Sequence, residues 1–214
     1  MTVGRRGASV ALAAGVAALI AAAVVACRAH PAPDVGGAEV TALETAPAPT
    51  QPPSPSTAPT RSAEIAVVPP VRLRIPAIDV TATVNPVGVD RNGDFAVPPS
   101  VDEVGWYRFG PGVEAAAGSV VIAGHVDSAE QGRGAFFRLR DLGRDDRLTV
   151  KGADGVTRSY RVVAREEYRK TKIPLDRYFA RDGRPRLTLI TCGGPFDRDA
   201  GHYRDNIVVT AVPV

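Results

Sequence analysis

The 214-residue chain is 44% hydrophobic and 23% charged, ordinary proportions for a folded protein, so disorder throughout is excluded. A net charge of +3, with both signs mixed along the chain, excludes a nucleic-acid binder that works through a basic patch. Two cysteines exclude a disulfide-rich scaffold, and no Cys/His cluster has the spacing of a structural zinc site, so no metal or cofactor is expected.

Residues 7–27 carry no charge, lie between Arg5-Arg6 and Arg28, and are mainly Ala, Val, Leu and Ile. A basic start followed by an apolar stretch directs export across a membrane. As a helix rising 1.5 Å per residue, such a stretch matches a hydrocarbon core of ~30 Å. Ten of its residues are alanine, which keeps the span weakly hydrophobic. Two outcomes stay open. One is a signal anchor with its basic end in the cytoplasm. The other is a lipoprotein-type signal, in which Val24-Val25-Ala26-Cys27 presents Cys27 for lipid. Both leave everything after Arg28 at the extracytoplasmic face of the membrane.

Ten of the nineteen prolines fall between residues 28 and 70, among Ala, Thr and Ser. That composition has too little apolar surface to offset its ordering entropy, so residues 28–69 are expected to be a disordered linker. From residue 70 onward the pattern changes. Short β-branched runs predict strands at 71–75, 80–87, 119–122, 147–150, 159–163, 187–190 and 207–212. Asn92-Gly93, Asp154-Gly155 and Asp182-Gly183 predict tight turns. Only residues 135–142 suggest a short helix, with Phe136, Leu139 and Leu142 on one face. Seven or eight strands predict an all-β domain over residues 70–214, closed as a barrel or paired as a sandwich.

An exported domain with one cysteine is the sharpest chemical signal. Outside the cytoplasm Cys192 has no disulfide mate except Cys27, so it is a candidate reactive thiol. It follows the predicted strand and precedes Gly193-Gly194-Pro195, which places it where a strand ends in a turn. A thiol nucleophile needs a base or cation to populate its thiolate. His125 also stands just past a β-rich run, in Ala123-Gly124-His125-Val126-Asp127. His30 lies in the linker, and His202 reads as a loop residue. Arg204 begins the run after Cys192, so antiparallel pairing of the two strands brings it near the thiol. A guanidinium suits an oxyanion forming there, whereas its ordinary alternative is a surface ion pair with Asp199 or Asp205.

Thr188-Leu189-Ile190-Thr191-Cys192 resembles the TLxTC signature of sortases, the transpeptidases of Gram-positive cell surfaces. Gly124-His125-Val126-Asp127-Ser128 with Gly134-Ala135-Phe136-Phe137-Arg138-Leu139 is similar to the sortase histidine region. Tyr203-Arg204-Asp205-Asn206-Ile207-Val208-Val209 is similar to the arginine strand, and Arg72-Leu73-Arg74-Ile75-Pro76-Ala77-Ile78 and Val104-Gly105-Trp106-Tyr107 match further segments. The likeness covers about residues 70–214 and is nearest to actinobacterial class F, with class E the near alternative. It implies the closed eight-stranded sortase β-barrel with one or two short helices. It also implies Cys192 as nucleophile, His125 as general acid/base, and Arg204 as the residue that positions substrate and steadies the oxyanion. The implied donor is an exported protein with an LPxTG-like sorting signal, and the implied acceptor is a cell-wall precursor or pilin amine. Asp127 is a candidate to orient His125. The rival reading is a non-catalytic, membrane-tethered barrel that binds cell-wall components, which leaves the Cys, His and Arg unused.

Overall fold

The computed structural model of the protein describes residues 33–45, 67–91 and 93–214. The apolar stretch 7–27, Cys27, most of the expected linker and Asn92 lie outside the described residues. Ten strands and two helices are present among those described: α1 (Gly37–Thr45), β1 (Pro70–Ile75), β2 (Val80–Val87), β3 (Val104–Tyr107), β4 (Ser119–Gly124), β5 (Asp127–Ser128), β6 (Gly132–Arg133), β7 (Arg147–Gly152), β8 (Thr157–Arg169), α2 (Leu175–Tyr178), β9 (Arg186–Asp197) and β10 (His202–Pro213). Eight strands close in the order β1-β2-β3-β4-β9-β10-β8-β7, and β5 and β6 form a separate small hairpin. The predicted all-β closed barrel is therefore the fold.

Alternation along the strands builds the core. Leu73 and Ile75 of β1, Val120 and Ile122 of β4, Leu187 and Leu189 of β9, and Ile207, Val209 and Ala211 of β10 all point inward and are buried together. Most neighbouring strands pair antiparallel, but β2 with β3 and β4 with β9 run parallel. Gly155 and Gly183 have φ of 81° and 72°, the left-handed values that the Asp-Gly turns predicted.

Three expectations are corrected. Residues 135–142 form a chain of tight turns, Leu139 bonding back to Phe136 and Leu142 to Leu139, with only a single 3₁₀ turn at Leu139–Asp141. Phe136, Leu139 and Leu142 are nonetheless fully buried, so the sequence pattern gave the right face on the wrong element. Next, β9 does not stop at Ile190. It continues through Cys192 to Asp197, because the Gly193-Gly194-Pro195 stretch stays paired with β10 across a bulge.

The third correction is at the N-terminal side, where part of the expected linker is folded. Val35 exchanges two backbone hydrogen bonds of 2.9 Å with Arg165 of β8. Gly36, at φ 82°, lies so close to β8 that an added Cβ would stand 2.1 Å from the Val163 carbonyl oxygen. The helix that follows, α1, buries Val40 and Leu43 and packs on the outer barrel face against Ala164, Tyr178 and Val208. Arg177 ties it down, with an ion pair to Glu44 at 2.7 Å and a hydrogen bond to Thr41 Oγ1 at 2.9 Å. Residues Asp34–Val214 thus form one compact unit.

Candidate active site

Register brings the candidate residues together. β4 pairs with β9 in parallel with Ala123 opposite Ile190, so two residues further on His125 stands level with Cys192. On the other side of β9, Cys192 is opposite Asn206 of β10. Alternation settles which face they use. Leu187 and Leu189 point into the barrel, so Ile190 and Cys192 point out. Ile122 points in, so Ala123 points out, and His125, just past the end of β4, reaches the Pro98 carbonyl. Cys192 is a half-buried free thiol in the middle of a paired strand. Directly beside it, the buried Thr191 hydroxyl donates to the Gly124 carbonyl at 2.8 Å and fastens β9 to β4 at the level of the site.

Arg204 of β10 stands opposite the bulge in β9, where Gly194 and Pro195 together face this one residue between the pairs Tyr203–Phe196 and Asp205–Gly193. The bulge accommodates Gly194, at φ 71°, where an added Cβ would lie 2.0 Å from Asp205 Oδ2. The Arg204 guanidinium is held by Asp197 rather than by Asp199 or Asp205: Nε and Nη2 both reach Oδ2, at 3.1 and 3.0 Å. Backbone donation from Ala200 and then the Arg204 hydrogen bond hold the Asp197 carboxyl below its usual range. Nη1 of Arg204 carries no hydrogen bond among the described residues.

His125 uses its Nε2 on the Pro98 carbonyl, at 3.0 Å. A carbonyl only accepts, so Nε2 carries the hydrogen. Asp127 does not orient this ring. Its Oδ2 accepts from the Tyr203 hydroxyl at 2.6 Å, linking the β5 segment to the start of β10. That hydrogen bond first, then burial and the charges of Asp127 and Cys192, push the Tyr203 phenol up to about 12. Tyr203 also meets Phe196 edge-on, with centroids 5.1 Å apart. His202 is exposed, and its Nδ1 donates to the Tyr203 carbonyl at 2.9 Å.

Trp106 and Tyr107 divide their work. Trp106 is buried in the core and donates Nε1 to the Pro111 carbonyl at 3.1 Å. Tyr107 points outward and meets Phe179 edge-on at 5.1 Å, with Phe95 6.1 Å away. These rings add an apolar flank to the outer face of β3. Sequence reasoning missed Asp197, Tyr203 and Pro98. Tyr203 was the most accessible of the three, since it adjoins Arg204 in the quoted segment. Among the described residues no group of three His, Cys, Asp or Glu side chains is placed to hold a metal ion.

A profile of the sortase domain matches residues 73–214, about two thirds of the chain. The chain belongs to the sortase family. Solved structures with the same fold include sortase C-1 from Actinomyces oris, at 24% identity over 67% of this sortase and 72% of that chain, with a TM-score of 0.51. A lid mutant of sortase A from Corynebacterium diphtheriae is 23% identical over 71% of this sortase and 74% of that chain, again at 0.51. No curated protein sequence matches. The sortase fold accounts for the closed eight-stranded barrel that carries Cys192 on β9, Arg204 on the neighbouring β10 and His125 just past the end of β4.

Proposed function

We propose that this sortase is a cysteine transpeptidase that cleaves an LPxTG-like sorting signal and passes the acyl group to a cell-wall or pilin amine. One observation carries the reading: Cys192 on the outward face of β9 stands beside His125, the residue just past the end of β4, with Arg204 of β10 alongside, opposite the β9 bulge. The Cys192 thiolate attacks the carbonyl carbon of the scissile peptide bond and forms the carbon–sulfur bond. The oxyanion develops beside Arg204, whose Nη1 donors are uncommitted while Asp197 fixes the rest of the fork. Collapse breaks the carbon–nitrogen bond, and the departing amine takes a proton from the His125 imidazolium. The thioester is then attacked by an incoming amine, His125 takes back a proton, and the thiolate leaves. The motif segments around His125 and Arg204 favour class F within the family.

The membrane location follows from the apolar residues 7–27 as anchor or lipidated signal, with the catalytic domain outside the cytoplasm. Incubation of the full-length protein with a panel of sorting peptides, followed by mass analysis, tests the proposal. The expected product is a thioester on Cys192. A panel that is cleaved with no adduct on this residue, or is left intact throughout, overturns the reading.

A further inference from the structure

The segment that receives His125 contains two consecutive prolines, Pro98 and Pro99, between β2 and β3. Proline has no backbone N–H, so this stretch offers carbonyl acceptors and must be held by donors from elsewhere. Both donors come from the chain around one hairpin. His125, two residues before β5, donates Nε2 to the Pro98 carbonyl at 3.0 Å. Gln131, in the turn between β5 and β6, donates Nε2 to the Pro99 carbonyl at 3.0 Å. The Gln131 Oε1 also accepts from the Val101 backbone N–H, at 3.2 Å. A carboxamide can donate and accept at one end of a side chain, so Gln131 brackets residues 99–101 from both sides. Pro98 is buried and rests on β3, where an added Cβ on Gly105 would stand 3.1 Å from its ring. The Ala135 N–H closes the far side by donating to the Val101 carbonyl at 2.8 Å.

We propose that Gln131 is a positioning residue for acyl transfer: it pins the diproline segment so that the Pro98 carbonyl holds His125 with Nε2 protonated, leaving Nδ1 as the nitrogen that exchanges the catalytic proton. This rests on reading His125 as the general acid/base. Nδ1 has no hydrogen bond among the described residues. In the imidazolium, Nδ1–H is the proton given to the departing amine. The neutral ring that remains keeps its Nε2–H bond to Pro98 and is protonated again at Nδ1 by the incoming amine. No ring flip is needed between the two half-reactions.

The test uses the full-length chain with histidine labelled at both ring nitrogens, read by long-range proton–nitrogen correlation at a pH where the imidazoles are neutral. His125 is expected as the Nε2–H tautomer. His202, whose Nδ1 faces the Tyr203 carbonyl, is expected as the opposite form and is assigned with a His202→Gln variant. Gln131→Ala is expected to give a mixed tautomer at His125 and to lower kcat about tenfold with KM changed less than about twofold, since it disturbs the acid/base group and not the peptide contacts. Gln131→Glu keeps an acceptor for Val101 but cannot donate to Pro99, so it falls between wild type and Gln131→Ala; it also serves if the alanine variant does not fold. An Nδ1–H tautomer at wild-type His125 overturns the proposal. So does a variant whose melting temperature drops while its kcat and tautomer stay those of wild type. Failure of peptides to acylate Cys192 would instead remove the transpeptidase reading, and the tautomer would still be measurable.

Discussion

Replacing Arg204 by lysine separates catalysis from stability. The guanidinium side chain is 49% exposed and its one partner among the described residues, Asp197, lies at the surface. Exposed ion pairs contribute little to folding, and lysine retains the charge, so the melting temperature should barely move. The oxyanion requirement differs. Arg204 spends Nε and Nη2 on a single carboxylate oxygen, which aims the planar group and leaves Nη1 for the substrate. An ammonium on a flexible stem cannot hold Asp197 and present a second, fixed set of donors at the same time. Removing an oxyanion donor costs roughly 2.7–4 kcal/mol of transition-state stabilisation. At 1.36 kcal/mol per decade, that is a fall of about 100- to 1,000-fold in kcat. Steady-state cleavage of a fluorogenic sorting peptide, with calorimetry on the same preparation, gives both numbers. A variant that keeps kcat/KM within about threefold of wild type would refute the assignment of the oxyanion to Arg204.

Cys192→Ala should abolish the acyl-enzyme adduct and peptide cleavage while leaving the circular dichroism spectrum unchanged, since the side chain lies on the outer face and fills no core space. Leu139→Ala removes a fully buried side chain and should cost about 2–5 kcal/mol in urea unfolding; a loss under about 1 kcal/mol would show that the turn segment is not part of the core. Gly36→Val adds a Cβ where the Val163 carbonyl stands 2.1 Å away, so α1 should lift off and residues 34–45 become sensitive to limited proteolysis. The Tyr203 phenol is raised to about 12 from 10.0 in the folded state, which therefore holds its proton more tightly than the unfolded chain does. Its contribution to stability is complete below pH 10 and declines as pH rises from about 10 to about 12, so Tyr203→Phe should flatten that part of the stability–pH curve. Identical alkaline curves for the two proteins would remove the Asp127 link.

The parts of the site legible in the sequence are those whose neighbours are local. Thr191-Cys192 and Gly124-His125 each end a β-branched run, and parallel pairing of those runs is what makes them level. What could not be read is what comes from distant segments. Nothing near Arg204 distinguishes Asp197 from Asp199 or Asp205 as its partner; the β9 bulge decides, by setting Gly194 over Asp205. Asp127 looked placed to serve His125 because it is two residues away, but the phenol of Tyr203 takes its carboxylate from 76 positions downstream. Likewise Gly193-Gly194-Pro195 reads as the end of a strand. Only the pairing with β10 shows why a left-handed glycine can stay within a ladder: Gly194 lies in a bulge of β9 itself.

The docked helix α1 escapes the sequence pattern for a physical reason, and its docking bears on the proposed tether. Residues 34–45 hold two large apolar side chains that face the barrel, Val40 and Leu43, too few to signal a helix by periodicity, and the helix gains its stability from the groove beside Tyr178. Because α1 is docked and residues 67–69 rejoin the barrel through Val68, which bonds to Glu114 and Val113, the proline-rich residues 46–66 leave and return to the same unit. They cannot serve as the spacer to the membrane. With the apolar stretch ending at Cys27 and Val35 already bonded to β8, the sequence left for a tether is residues 28–34. Under the proposed anchoring, inserting a flexible segment after Ala32 should lengthen that tether without touching the domain, so cleavage of soluble peptides should be unchanged while attachment of membrane-borne substrates changes. Equal effects on both would show that tether length plays no part.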